Sequence, residues 1–384
     1  MATATDRKAN RRRSAQFFSA AQKQSLRREL LSWYSAHARD LPWRRSRDPY
    51  RVWISEVMLQ QTQVATVRDY FTRFIKELPD VQCLAAAEEQ QVLRLWEGLG
   101  YYRRARQLHA AAKLILAQYG GQFPQHEGEL QKLPGIGRYT AGAIASIAFN
   151  RRAAILEANT IRLLSRLIGY VEDPLRASGQ RLLWQIAEAI LPQNEVAQFN
   201  QALMELGSLI CTPAEPDCPA CPLCSLCAAN KAGIQQQIPR AKTRQTYTAL
   251  HEAAVIVSKN SRVLVRQCAE GERWAGLWDF PRFPVDAVGP LFAREEIMAK
   301  VATQTGIECE PGSLLKTFRH GVTRYRITLD CYHAQYIAGR VNNRRSAPVR
   351  WISSSELADL PFSTTGRKIS RLVSFLLNNH SQAT

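Results

Sequence analysis

The sequence lacks any hydrophobic run long enough to cross a membrane, since no stretch approaches the roughly 18 consecutive apolar residues that a spanning helix needs. It also lacks the apolar segment that follows the basic start of a secretory signal. Acidic residues are scarce: 33 Asp and Glu stand against 51 Lys and Arg, which gives a formal net charge of +18 at pH 7. We therefore expect a protein of the cytoplasm or nucleoid whose partner is a polyanion, with nucleic acid ahead of an anionic membrane.

The length favours two domains, because hydrophobic cores stop growing usefully at roughly 250–300 residues and this chain has 384. Its 46% hydrophobic and 22% charged residues are typical of globular proteins and exclude a disordered or fibrous one. Residues 1–244 and 245–384 are both positively charged, by 12 and by 6, so the excess does not lie in a detachable tail.

Hydrophobic periodicity changes once along the chain, which divides it into segments of different character. Helical patterns separated by Pro- and Gly-bearing turns give way, after a polar stretch, to the alternation typical of strands. We predict a basic disordered arm at 1–20, a helical domain at 21–230, a linker at 231–246 and a small α+β domain at 247–384. Within the last we predict strands at 253–258, 262–266 and 324–337, and helices at 292–305 and 365–378.

Five of the nine cysteines lie between residues 211 and 227. In an intracellular chain, so compact a set of thiols indicates a metal or cluster site and not a disulfide framework. Gaps of six, two and five residues favour a 4Fe-4S cluster over structural zinc, which usually pairs two close-spaced knuckles and stays the alternative. Cys224 is a fifth thiol able to substitute for a neighbour. The predicted ligands are Cys211, Cys218, Cys221 and Cys227.

A glycine-bearing turn at residues 133–137, LPGIG, separates two helical stretches, the second of which opens at Arg138. Gly135 and Gly137 let the backbone approach a partner closely and turn N–H groups outward at a helix start. This geometry binds phosphate without reading base sequence. An ordinary turn between two helices is the other interpretation, and the net charge favours phosphate.

A helix predicted over residues 51–65 carries an apolar stripe, with Glu56 on its flank and Gln61 near its middle. Glu56 is compatible with a solvated face. An unpaired buried amide costs roughly 1–3 kcal/mol, so Gln61 is either hydrogen-bonded in the core or exposed where the stripe ends at a cleft. Glu157 precedes another amphipathic stretch, where it is a helix-start acid or a carboxylate facing a cleft to stabilise a developing cation.

Four motifs in this order resemble the MutY family of adenine DNA glycosylases: WISEVMLQQTQV, WEGLGYY at 96–102, LPGIGRYTAGA and the cysteine cluster. That family belongs to the helix-hairpin-helix superfamily, which also contains endonuclease III. The resemblance runs from about residue 25 to 230, and residues 274–281 and 318–320 resemble the family's Nudix-like domain. It implies an all-α helix-hairpin-helix glycosylase domain with an iron–sulfur cluster loop, followed by a small α+β Nudix-like domain.

The resemblance also implies a monomeric, monofunctional DNA glycosylase of base excision repair, with no membrane partner. Its substrate would be double-stranded DNA in which adenine is mispaired with 8-oxoguanine or guanine, and it would flip the adenine out of the helix. Glu56 would protonate the adenine and later activate water, while a second carboxylate, Glu157, supports the oxocarbenium-like sugar.

Further residues receive roles from the same resemblance. Tyr139 and Asn159 match residues that assist at the reacting sugar, and Gln61 and Tyr101 match side chains that wedge into the duplex. The resemblance also implies recognition of 8-oxoguanine by Phe318, Arg319 and His320, whereas the phosphate contacts of Gly135, Gly137 and Arg138 follow from the glycine-bearing turn itself.

Four features sharpen these expectations: three departures from the family pattern, and Tyr139, which separates the subfamilies. Glu157 stands where the family has aspartate, and a misplacement of about 1 Å costs about 10²-fold in rate. Tyr139 stands where strand-cutting relatives place a lysine nucleophile, so we expect no lyase activity. Arg319 replaces the usual serine. Thr303 and Gln304 replace Nudix acids, so we expect a recognition module without hydrolase activity.

Two other functions stay open from the sequence. Glu157 in place of aspartate motivates the alternative of a non-catalytic protein that binds mismatches or lesions, although we expect activity to be retained. The superfamily also includes glycosylase/AP lyases of the endonuclease III type, against which Tyr139 and the second domain argue.

Overall fold

A computed structural model describes residues 17–240, 246–285, 290–341 and 347–380. The chain divides into two compact units. The helical unit comprises Met1–Ala86 and Gln107–Thr243, and the C-terminal unit comprises Ala87–Arg106 and Arg244–Thr384. Segment 87–106 thus packs with the C-terminal unit, although the predicted boundaries assign it to residues 21–230. Residues 1–16 of the predicted arm lie outside the described ranges, whereas Phe18 is buried in the core.

The first half of the chain is helical, as its periodicity predicts. Apolar faces of its helices form a buried core that includes Leu30, Leu164, Phe199 and Leu203. The helices are α1 (Ala20–His37), α2 (Pro49–Leu59), α3 (Val64–Glu77), α4 (Val81–Ala86), α5 (Glu89–Leu95), α6 (Arg103–Tyr119), α7 (Glu127–Leu130), α8 (Arg138–Ile147), α9 (Ala158–Ile168), α10 (Ala177–Ile190), α11 (Val196–Leu209) and α12 (Ala228–Lys231), with short 3-10 turns at Pro42–Arg44 and Cys224–Leu226.

The single helix predicted over residues 51–65 is wrong, because α2 ends at Leu59 and α3 begins at Val64. Gln61 lies between them, with a left-handed φ of 58° and an exposed side chain. A left-handed residue cannot continue a right-handed helix. Gln61 therefore never lies on the buried stripe, and the alternative of an exposed glutamine at a cleft is confirmed.

The strands of the C-terminal unit are β1 (Thr248–Lys259), β2 (Arg262–Gln267), β3 (Trp278–Asp279), β4 (Arg282–Pro284), β5 (Ile307–Val322), β6 (Tyr325–Gly339) and β7 (Val349–Ile352). They form a seven-stranded mixed sheet in the order β3-β2-β1-β6-β5, with β4 paired to β1 and β7 to β2. Only β1 and β6 run parallel among these described pairs. Apolar cores lie on both faces. The helices of this unit are α13 (Pro290–Thr305), α14 (Glu356–Asp359) and α15 (Thr364–His380).

The predicted hairpin in this unit is confirmed. Ser258 pairs with Val263 and Lys259 with Arg262, so Asn260 and Ser261 form a two-residue turn, with φ of 47° and 58°. Such a turn matches the twist of the flanking strands. The other predicted elements are confirmed as β6, α13 and α15. Among the residues that the structure describes, no helix combines the length and apolar character needed to cross a membrane.

Candidate active site

A cavity of about 600 Å³ opens in the helical unit between α2, α8, α9 and α11. Both carboxylates that the sequence singles out, Glu56 and Glu157, line it. Its lining also includes Gln61, Tyr139 and Asn159. The structure thus brings together five predicted site residues that are separated by up to 103 positions in the chain.

Glu56 is a buried carboxyl in the middle of α2, 5% exposed among apolar neighbours such as Trp53 and Val57. Burial disfavours the charged form and raises the pKa of Glu56 to about 7, although a hydrogen bond from Tyr139 works in the opposite direction. The Tyr139 hydroxyl, from the first turn of α8, donates to Glu56 Oε2. The solvated-face interpretation of Glu56 is wrong. Glu56 can carry a proton near neutral pH, as a general acid requires.

Glu157 is the N-cap of α9, and its carboxylate accepts hydrogen bonds from the backbone N–H groups of Asn159 at 2.8 Å and Thr160 at 3.0 Å. The Thr160 hydroxyl in turn accepts from the Glu157 backbone N–H at 2.7 Å. Burial raises the pKa of Glu157, and the two backbone donors oppose that rise. Both sequence interpretations hold at once: Glu157 caps the helix and also faces the cavity.

Asn159 lies in the first turn of α9, where Arg162 Nη2 donates to its Oδ1 at 2.8 Å. The same nitrogen donates to the carbonyl of Gly207 at 2.7 Å, and Arg162 Nε donates to the carbonyl of Cys211 at 2.7 Å. A Cβ at position 207 would lie 2.8 Å from Asn159 Cβ. The glycine in α11 therefore allows the close approach that places Asn159 beside the cavity.

A third carboxylate in the cavity, Glu205, was missed from the sequence. It is fully buried on α11 and accepts from Arg39 Nη2 and Arg44 Nη2, each at 2.8 Å. Burial alone would raise the pKa of Glu205, but hydrogen bonds from the two arginines lower it to about 2. The pocket therefore holds one carboxyl that keeps a proton and one fixed as an anion. Nothing in the local pattern marks Glu205, since its arginines are more than 160 residues away in the chain.

The predicted phosphate-binding turn is formed as expected in its backbone. Gly135 has a φ of 74°, and a side chain there would lie 2.8 Å from Gln107 Cβ. Gly137 is the N-cap of α8, with no described atom within 4 Å of its would-be Cβ. Arg138 pairs with Glu188 at 2.7 Å and lies over the Trp184 ring at 3.8 Å. The backbone of the turn is therefore not covered by side chains at Gly137, whereas the Arg138 side chain already binds Glu188 and Trp184 of the same unit.

The cysteines at the end of the helical unit share one pocket, which includes the unassigned Cys224. Arg166 Nη1 lies 3.3 Å from Cys211 Sγ, and Asn230 Nδ2 lies 3.1 Å from Cys224 Sγ. N–H donors aimed at sulfur suit thiolate ligands. Within the described ranges, no three His, Cys, Asp or Glu side chains are placed to hold a single metal ion. The predicted ligands Cys211, Cys218, Cys221 and Cys227 all line this pocket.

The predicted lesion-reading residues lie on β5 of the C-terminal unit, opposite β6. Phe318 packs partly against the core and Arg319 is exposed. His320 is half-buried, and its Nε2 lies 3.5 Å from Arg282 Nη2. Burial, followed by the Arg282 charge, lowers the pKa of His320 to about 4. Since arginine only donates, His320 is a neutral ring that accepts at Nε2.

Tyr101, the second predicted wedge residue, lies in the C-terminal unit in the connection between α5 and α6. It is 55% exposed and has a left-handed φ of 47°. An exposed aromatic ring of this size is able to stack on bases.

Two family models match separate parts of this chain. Residues 54–189 match the HhH-GPD superfamily of base excision DNA repair proteins, and residues 252–372 match the NUDIX domain. The first match includes Glu56, Tyr139 and Glu157, and the second includes Phe318–His320 of β5.

Sequence relatives cover both units. The chain is 32% identical to an adenine DNA glycosylase of Rattus norvegicus, over 91% of this chain and 78% of that protein. It is 37% identical to an adenine DNA glycosylase of Buchnera aphidicola subsp. Schizaphis graminum, over 66% of this chain and 74% of that protein. Among solved structures, a thermostable thymine-DNA glycosylase matches with a TM-score of 0.50 and 28% identity, over 55% of this chain and 97% of that one.

Proposed function

The chain belongs to the adenine DNA glycosylase family, and we propose that it removes adenine paired with 8-oxoguanine or guanine in double-stranded DNA. The observation that carries the proposal is the buried, protonatable Glu56 in a cavity that also contains a second carboxyl group, Glu157, held by two backbone donors. That pairing of an acid with a carboxylate suits cleavage of an N-glycosidic bond.

Glu56 supplies the proton that makes adenine a better leaving group. It transfers its proton to a ring nitrogen of the flipped adenine, and the bond between C1′ and N9 then breaks with its electron pair moving to the base. The sugar carries the positive charge. Glu56, now ionised, accepts a proton from water while the water oxygen bonds to C1′. Tyr139 holds Glu56 in place through its hydrogen bond.

Glu157 is the anion that stabilises the cationic sugar. Its two hydrogen bonds from the start of α9 fix the carboxylate and favour its ionised form. Glutamate has one methylene more than aspartate, which lengthens the side chain. Because both carboxylate oxygens of Glu157 accept from backbone N–H groups, the carboxylate stays fixed despite this extra length. Asn159, fixed by Arg162, lies beside it to orient the sugar or the water.

DNA is held through backbone contacts and wedge residues. The N–H groups at Gly135 and Gly137 bind a phosphate, and Arg138 adds charge when phosphate competes with Glu188. Gln61 and Tyr101, both exposed and left-handed, are the side chains that wedge into the duplex when adenine is flipped out. The excess positive charge makes binding fall steeply with salt.

We assign a 4Fe-4S cluster to Cys211, Cys218, Cys221 and Cys227, supported by their shared pocket and by the Arg166 donor at Cys211. Such a cluster supplies structural cross-linking of the loop when bound. In the C-terminal unit, Phe318, Arg319 and His320 contact the 8-oxoguanine. We propose that the protein acts as a monomer on nucleoid DNA.

Single-turnover excision distinguishes this function from its alternatives. Duplexes carrying adenine opposite 8-oxoguanine, adenine opposite guanine, and thymine glycol are compared with the same protein. We expect adenine release from the first two, fastest opposite 8-oxoguanine, and no covalent complex trapped by borohydride. Binding without base release would indicate a non-catalytic protein, and release from thymine glycol alone would indicate a lyase of the endonuclease III type. An absorbance band near 400 nm tests the cluster.

A further inference from the structure

The loop that carries Tyr101 is tied at both ends to the C-terminal helix α15 and the residues before it. We define residues 97–102 as the wedge loop. At its start, Glu97 receives a two-point hydrogen bond from Arg367, with Nε to Oε1 at 2.6 Å and Nη2 to Oε2 at 2.9 Å. At its end, the Tyr102 hydroxyl donates to the carbonyl of Phe362 at 3.2 Å.

The ion pair at the start of the loop is well buried, unlike a surface salt bridge. The side chains of Arg367 and Glu97 are 13% and 9% exposed. Arg367 also donates to the carbonyls of Leu357 and Leu360, and Glu97 Oε2 accepts from the backbone N–H of Phe362. Planar guanidinium–carboxylate pairs of this type fix orientation as well as distance.

The loop between these anchors holds Tyr101 in a conformation that a bulky residue rarely adopts. Gly98 and Gly100 are also left-handed, with φ of 98° and 71°. Arg104 Nη2 donates to the carbonyl of Gly100 at 3.2 Å, and its guanidinium lies 5.6 Å from the Tyr101 ring centroid. Such a backbone persists only where surrounding contacts over-determine it.

We propose that Arg367 is a positioning residue for the wedge, acting through Glu97 to project Tyr101 toward the duplex. The inference rests on the proposed wedge role of Tyr101 and deepens it. The C-terminal unit then serves base flipping as well as lesion reading, because one body carries the wedge and the β5 residues Phe318–His320. No residue of the wedge loop other than Tyr101 needs to touch DNA for this.

The test uses the full chain with Arg367→Met, the conservative Arg367→Lys and Tyr102→Phe. Arg371→Met is the matched control, since it removes the same charge from an exposed position one turn later on α15. Base flipping is followed by the fluorescence of 2-aminopurine placed opposite 8-oxoguanine. We expect Arg367→Met to lower the fraction flipped and the duplex affinity about tenfold, the size of losing one stacked aromatic. Arg367→Lys should recover part of it, and Arg371→Met should not show the flipping defect.

A double-mutant cycle with Tyr101→Ala decides whether Arg367 acts through Tyr101. We expect Arg367→Met to add no loss to Tyr101→Ala, and additive losses would overturn the proposal. Without DNA, amide hydrogen exchange over residues 97–102 should be faster in Arg367→Met and Tyr102→Phe than in the control, and unchanged exchange in both would also overturn it. If Tyr101→Ala flips the base normally while amide hydrogen exchange over residues 97–102 is still faster in Arg367→Met, the wedge role of Tyr101 itself is refuted. Tyr102→Phe keeps the test valid if Arg367→Met unfolds.

Discussion

Glu56 in the helical unit and Glu252 in the C-terminal unit are equally hidden from solvent, at 5% and 4% exposed, yet their ionisation goes in opposite directions. Burial raises the pKa of Glu56 to about 7. Burial has the same tendency at Glu252, but Arg282 at 2.6 Å and Arg273 at 2.8 Å lower its pKa below the usual range. Burial decides the outcome only where no cation compensates it.

This difference in ionisation distinguishes a carboxyl group suited to proton transfer, Glu56, from a carboxylate that stabilises the fold, Glu252. A buried carboxyl without a cation in contact holds a proton that it can give away, at a cost in stability. A buried carboxylate between two arginines cannot take part in proton transfer near neutral pH, but it ties its own strand, β1, to β4, which carries Arg282. Here Arg282 also contacts His320, so the fixed ion pair supports a predicted lesion-reading residue.

Glu56→Gln should produce the largest effect, a loss of about 10³-fold in the single-turnover rate of adenine excision. Glutamine has the same shape and still accepts from Tyr139, but it has no proton to give. Because no buried cation loses its partner, we expect the thermal midpoint to stay level or rise. Glu129→Gln, an exposed acid of the same unit, is the control. A rate within tenfold of the parent enzyme would rule out Glu56 as the acid.

Glu252→Gln should reverse that pattern. It removes the anion nearest to the buried Arg282 and leaves only Asp279 at 3.7 Å, so we expect the C-terminal unit to lose about 3 kcal/mol of unfolding free energy. Calorimetry measures the loss, and single-turnover excision below the transition should change far less than in Glu56→Gln. Adding Arg282→Met should restore part of the stability, because the orphaned charge is then gone. A Glu252→Gln variant as stable as the parent would contradict the comparison.

The sequence predicts much of the fold because its elements are long and strongly periodic. The hairpin around Asn260 and the helices α13 and α15 are confirmed. The break between α2 and α3 is missed because the apolar period runs on through Gln61, and only the left-handed backbone reveals it. In the site, Glu56 and Glu157 are recognisable from their motifs. Glu205 is not, since its meaning depends on arginines brought from 160 residues away by the packing of α11.

The comparison between Glu56 and Glu252 also predicts how the excision rate depends on pH, and this is the smallest of the expected effects. Only the enzyme with protonated Glu56 is active, so with a pKa of about 7 the rate should fall tenfold per pH unit above neutrality. Tyr139→Phe removes the hydrogen bond that favours ionised Glu56, so the pKa should rise and the descending limb should move to higher pH, even as the maximal rate falls. The corresponding Glu252→Gln variant should keep the parent profile. A limb that moves to lower pH in Tyr139→Phe would mean that the tyrosine stabilises the protonated acid, and would contradict the assignment of this limb to a Glu56 that accepts from Tyr139.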